Sequence, residues 1–142
     1  MEHDVRQKMP RAFKGLETLE AAITTPIAIL VMLAAVNLGM VVYGQQAVQA
    51  AARHGARMGS VAQDCAACYA VSAARTAIEA SPILENANVE VLAPGGTAGS
   101  ILRIRVTADV PNFLGPLAGL FPGLPAGPFA VSAEATFRQE GW

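Results

Sequence analysis

The chain has 142 residues, 53% of them hydrophobic, and its ten basic and eleven acidic side chains leave a net charge of -1. Basic residues interspersed among acids at this balance give no electrostatic footprint for a phosphate backbone, so no nucleic-acid partner is expected. Once about 25 residues are given to a membrane helix, the remainder suffices for one small domain and not two.

Residues 1–15 form a basic leader, with Arg6, Lys8, Arg11 and Lys14 against Glu2 and Asp4. Positive charge next to the first apolar helix sets its orientation, so the N-terminus is expected in the cytoplasm and the rest outside. From Ala21 to Ala52 there is no Lys, Arg, Asp or Glu, and Ala21 to Val42 is almost wholly apolar. A spanning helix needs roughly 20 such residues, which predicts a transmembrane segment over about 20–43 in the cytoplasmic membrane. A secretory signal would have a shorter apolar core and a small-residue cleavage site. A secreted domain behind a long signal is the weaker rival.

At the inner border, Lys14-Gly15-Leu16-Glu17-Thr18-Leu19-Glu20 resembles the prepilin peptidase site of type IV pilin-like proteins. The resemblance implies cleavage between Gly15 and Leu16, which makes Glu20 the fifth residue of the mature chain. The cut leaves an ammonium on Leu16 near a carboxylate at the head of an apolar helix, where a charge is costly without a partner. Pairing of Glu20 with the Leu16 amine of a neighbouring subunit would fix their axial register. The alternative role for Glu20 is to stabilise its own helix N-terminus through the macrodipole.

Further on, Glu20-Ala-Ala-Ile-Thr-Thr-Pro26, the apolar run to Val42, and Tyr43 through Ala50-Ala51-Ala52-Arg53-His54-Gly55-Ala56-Arg57 are similar to the TadE-like family. Members of that family are pseudopilins or minor pilins of the Tad (tight adherence, Flp pilus) machinery. The resemblance covers Lys14 to Met58 closely. It implies a structural, non-enzymatic role with a prepilin peptidase, sibling pilin subunits, an inner-membrane assembly platform and the lipid bilayer as partners.

Beyond the membrane nothing breaks the helix from Gln45 to Val61, so one helix is predicted over residues 16–62, about 70 Å long at 1.5 Å per residue. Tyr43 is placed as an interfacial aromatic. Pro26 removes one backbone bond early in the span, which membrane helices tolerate. Ala47, Ala51, Gly55 and Gly59 share one i, i+4 row that lets another backbone approach closely. Two occupants are open: a neighbouring pilin-type helix, or the protein's own sheet. Arg53, His54 and Arg57 decorate the outer helix, with His54 expected as a solvated residue.

Residues 63–142 are expected to form the extracytoplasmic α+β domain. It begins at Asp64-Cys65-Ala-Ala-Cys68-Tyr69. Cys65 and Cys68 are expected to form a disulfide in an oxidising compartment. Free thiols, a redox pair and half of a zinc site are the alternatives, the last two lacking a βαβ context and two further ligands respectively. An alanine-rich helix follows over Ala66 to Ala80 and closes at Ser81-Pro82. Val89 and Val91 alternate with polar neighbours, as do Leu102, Ile104, Val106 and Ala108, and then Phe129, Val131, Ala133, Ala135 and Phe137. This period of two predicts three strands with one apolar face each, an antiparallel sheet half covered by helix. Pro94 to Ser100 reads as a turn.

Between the last two strands, Pro111 to Pro128 holds five prolines, four glycines and no charge, together with Phe113, Leu114, Leu117, Leu120, Phe121 and Leu124. Such a segment is too apolar for a solvated linker. It is read either as a patch for another pseudopilin or the outer leaflet, or as an Ω-like loop folded onto its own sheet.

No phosphate loop, nucleophile elbow or histidine with convergent carboxylates is present, and neither an enzyme nor a cofactor is expected. The leading reading is a structural minor pilin processed by a prepilin peptidase. Its rival is an uncleaved, membrane-anchored accessory or binding protein.

Overall fold

The structure, a computed structural model, describes residues 11–140 and the side chains of residues 18–140. Most of the expected leader, residues 1–10, lies outside the described residues, as do Gly141 and Trp142. The elements run α1 (Arg11–Ser60), α2 (Ala66–Glu79), β1 (Glu85–Pro94), β2 (Ile101–Val110), a 3-10 turn (Gly115–Leu117) and β3 (Phe129–Arg138). This is the expected α+β plan: a long N-terminal apolar helix, a second short helix and a three-stranded antiparallel sheet.

The chain divides into two compact units, with the boundary between Ala35 and Val36. The first unit, as far as it is described, is helix throughout. Its side chains from Leu19 to Met32 include Ile23, Ile27, Ile29 and Val31, all largely exposed. An apolar surface on all sides is what a helix carries when its surroundings are themselves apolar, a membrane or the core of a large protein. Pro26 sits within this helix, and the Thr24 hydroxyl donates to the Glu20 carbonyl one turn back (2.9 Å).

The second unit takes in the C-terminal half of α1 as well as the rest of the chain from Val61. Its sheet has the order β1-β2-β3 with both pairings antiparallel. The middle strand alternates strictly: Leu102, Ile104, Val106, Ala108 and Val110 are buried while Ile101 and Arg103 are exposed. Ile104 pairs with Val91 on one side and Ala135 on the other, and Val106 with Val89 and Ala133, so the apolar rows continue across all three strands. The first strand is longer than its sequence signal. It starts at Glu85 and crosses an irregularity where Asn86 takes φ 50° and donates from Nδ2 to Asp109 (3.0 Å). Asparagine tolerates that left-handed conformation because its side chain hydrogen-bonds locally.

Helices cover one face of this sheet. Val48, Ala51, Ala52 and Ala56 of α1 and Ala66, Ala70, Ala74 and Ile78 of α2 join Leu102, Ile104 and Val106 in one core. The four buried α2 residues recur at every fourth position, which gives this helix its single inward stripe. The other sheet face is polar. There Arg105 lies opposite Glu90 of β1 and Glu134 of β3.

The C-terminal end of the domain is tied back to α1. Gln139 is buried; its Oε1 accepts from the Gly96 N–H (2.8 Å) and its Nε2 donates to the Ala62 carbonyl (2.8 Å). Gly95, at φ 66°, passes so close that a Cβ there would stand 2.7 Å from that Oε1. The Glu140 N–H donates to the Ser60 carbonyl (3.0 Å), one of the terminal carbonyls a helix leaves unpaired.

Candidate functional site

Gly15, Leu16 and Glu20 all fall within α1. The Leu16 side chain lies outside the described residues. Glu20 is exposed at the head of the uncharged run, and among the described residues its carboxylate meets no basic group. From Thr18 to Ser60, α1 is long and apolar enough to cross a membrane. It fits a single-pass membrane protein.

Near the C-terminal end of the apolar run stands Asn37, a carboxamide only 4% exposed. Its Nδ2 donates to Oδ1 of Asn112 (2.7 Å), and its Oδ1 accepts from the Phe113 N–H (3.1 Å). An amide buried among apolar groups is costly unless both ends are paired, and here both are. Asn112 in turn holds the loop it begins. Its Nδ2 donates to the carbonyls of Pro125 (2.6 Å) and Gly127 (3.1 Å), and its Oδ1 also accepts from the Leu114 N–H (3.0 Å). Two asparagines thus pin both ends of residues 111–128 to α1. Asn37 was not singled out in the sequence. The available signal was a lone carboxamide inside a membrane-length apolar run, a position that generally has a partner.

The loop divides its apolar residues between two environments. Leu114, Leu117 and Leu124 are half-buried, while Phe113, Leu120 and Phe121 are 55%, 73% and 46% exposed. Six N–H groups between Gly115 and Leu124 donate to carbonyls of the loop's own tight turns. Its five prolines have no N–H to satisfy.

The small-residue row on α1 has its occupant within the chain. Ala51, Gly55 and Gly59 are buried and Ala47 is half-buried. A Cβ on Gly55 would lie 2.6 Å from the Ala70 carbonyl oxygen and 2.7 Å from the Ala74 Cβ; one on Gly59 would lie 2.5 Å from the Ala66 carbonyl oxygen. The close approach that glycine permits is made by α2 and by Ile104 and Leu102 of β2, in place of a neighbouring subunit's helix. Arg53, His54 and Arg57 point away from this contact and are exposed.

Cys65 and Cys68 are joined by a disulfide, with their Cα atoms 5.2 Å apart. Cys65 also caps α2, its sulfur accepting from the Cys68 N–H (3.2 Å). Among the described residues no group of three or more His, Cys, Asp or Glu side chains is placed to hold a metal ion. On the polar sheet face Arg105 Nε and Nη2 both donate to Glu134 Oε1 (2.8 and 2.5 Å), with Glu90 3.6 Å away. The hydrogen bond and charge of Glu134, and to a lesser degree Glu90, raise the Arg105 pKa above its usual value. An arginine charged at every accessible pH supplies no acid or base.

No curated protein and no solved structure gives a significant match to the chain. The family model described as "TadE-like protein" matches residues 15–57, from Gly15 through the apolar run to Arg57. That match suggests a Tad pilus-associated protein. The likeness to TadE-like proteins is confined to residues 15–57, a stretch that lies within α1.

Proposed function

We propose that the chain is a structural minor pilin or pseudopilin of a Tad/Flp-type pilus or secretion apparatus. In this reading it is made with the leader of residues 1–15 in the cytoplasm, cut by a prepilin peptidase between Gly15 and Leu16, and held by α1 in the cytoplasmic membrane with residues 63–142 outside. Sibling pilin subunits and an inner-membrane assembly platform are its partners. The observation that carries the reading is the TadE-like match, which opens at Gly15 and includes Glu20 and the entire uncharged run.

Glu20 is the residue given a role in assembly. An exposed carboxylate at the head of an apolar helix, with no basic neighbour among the described residues, is suited to an ammonium supplied from another chain. The test is Glu20→Gln expressed in place of the natural chain. Normal membrane levels and processing with loss of surface pili support the reading; unchanged pili remove Glu20 from assembly.

A further inference from the structure

We propose that the loop of residues 111–128 is a lipid-binding element. It rests in the headgroup and upper acyl region of the leaflet that surrounds the C-terminal end of the span, with Phe113, Leu120 and Phe121 in contact with lipid. The proposal rests on α1 being a membrane span.

Three observations lead there. The first is level. The uncharged run opens at Ala21, and a hydrocarbon core of about 30 Å takes about 20 helical residues, which ends near Met40. Asn37 lies three residues inside that point, about 4.5 Å along the axis. Because Asn37 is bonded to Asn112 and to the Phe113 N–H, the start of the loop is held at the same depth. Interfacial segments bury their apolar face about 5–10 Å into this boundary, so the depth set by the two asparagines matches.

The second is charge. Residues 111–128 contain no Asp, Glu, Lys, Arg or His, whereas the exposed face of β2 carries Arg103 and the exposed face of β3 carries Glu134 and Arg138. An aqueous loop of this length would expose three large apolar side chains with nothing gained.

The third is backbone. Where water is scarce, each unpaired backbone N–H is costly. In this loop five residues have no N–H, two N–H groups are taken by the asparagine side chains, and six donate within the loop. The loop arrives with most of its donors already satisfied. A docking face for a protein partner would not have to lie at the level of the span.

The test uses the full chain in vesicles of phosphatidylethanolamine and phosphatidylglycerol. Both native cysteines are consumed in their own disulfide, so a single introduced cysteine takes an environment-sensitive fluorophore. Labels are placed at Leu120→Cys and Phe121→Cys in the loop, Met32→Cys in α1 and Thr136→Cys on the polar face of β3, all exposed positions. Quenching is read with nitroxides high or low on the lipid acyl chain and with aqueous iodide. The expected result is a blue-shifted emission at 120 and 121 that is quenched most by the shallow nitroxide, deepest quenching at 32, and quenching by iodide alone at 136. Iodide quenching at 120 and 121 with lipid quenching at 32 overturns the loop proposal and leaves the span standing. Protection at 120 and 121 from lipid and iodide alike assigns the patch to a protein contact and also overturns it. Absence of lipid quenching at 32 overturns the span itself, and the loop proposal with it.

Discussion

Asn37 of the apolar helix and Asn112 of the uncharged loop, 75 positions apart, share a 2.7 Å hydrogen bond, while the Asn37 Oδ1 accepts from the Phe113 N–H and the Asn112 Oδ1 from the Leu114 N–H. Removing Asn112 leaves the Nδ2 of the buried Asn37 unpaired, at a cost of about 1–3 kcal/mol, and removing Asn37 takes the partner from the Phe113 N–H and one of two donors from the Asn112 Oδ1. Asn37→Ala and Asn112→Ala should each increase hydrogen exchange and proteolysis across residues 111–128. The double variant should be less destabilised than the sum of the singles, because the groups act as one unit. Additive effects would show that the two asparagines do not depend on one another.

Gly55→Ala and Gly59→Ala introduce a Cβ within 2.6 Å of an α2 carbonyl oxygen, too close for α2 to stay where it is. Overpacking of this kind costs about 1–3 kcal/mol. Each variant should lower the thermal midpoint of the domain in detergent, and Gly55→Leu should fail to fold. Ala47→Leu, at a half-buried position of the same row, should be milder. A stable, monomeric Gly55→Leu that had lost only contact with sibling subunits would contradict the packing described above.

Gln139→Ala removes two hydrogen bonds that hold the Gly95-Gly96 turn and the end of α1 together. At about 0.5–1.5 kcal/mol per bond, the loss should be visible as a lower denaturation midpoint, with amide exchange rising first at Gly96. Arg105→Ala, by contrast, deletes an exposed cross-strand ion pair, which salt screens. Its thermal midpoint should stay close to that of the unchanged chain.

Mass spectrometry with alkylation before and after reduction should find no modified cysteine until reductant is added. Reduction closes no large loop: only three positions separate Cys65 and Cys68. The chain-entropy contribution of so short a ring is about 2 kcal/mol. The domain should therefore remain folded when reduced, with fraying confined to the start of α2. Two thiols alkylated without reductant would exclude the bridge.

What could be read from the sequence were the features that repeat locally. Leu102, Ile104, Val106 and Ala108 alternate with polar residues, and Val131, Ala133 and Ala135 do the same, so both strands and their inward faces followed from a period of two. The membrane-length helix followed from an uncharged run. The features that escaped depend on tertiary pairing. Asn37 finds its partner 75 residues away, and nothing near either residue reports the other. Gly55 and Gly59 announce a close approach without naming what approaches, because a small side chain fits a foreign helix as well as α2. Gln139 lies in a short tail with no periodicity, and its role exists only once β3 brings it beside Gly96. Phe113, Leu120 and Phe121 were recognisable as an apolar set, yet their separation from the half-buried Leu114, Leu117 and Leu124 required the fold of the loop.

The central claim is that Gly15 and Leu16 flank a processing site and that the chain enters a pilin-type pathway. Its most direct test is the mature N-terminus, determined by mass spectrometry of membranes from cells that carry the cognate peptidase, alongside a Gly15→Arg variant. The account predicts that the unchanged chain begins at Leu16 and that the variant keeps its leader. Retention of Met1 by both would contradict it and leave an uncut membrane-anchored protein, and a start far beyond Leu16 would contradict it as well, by making the apolar run a removed signal.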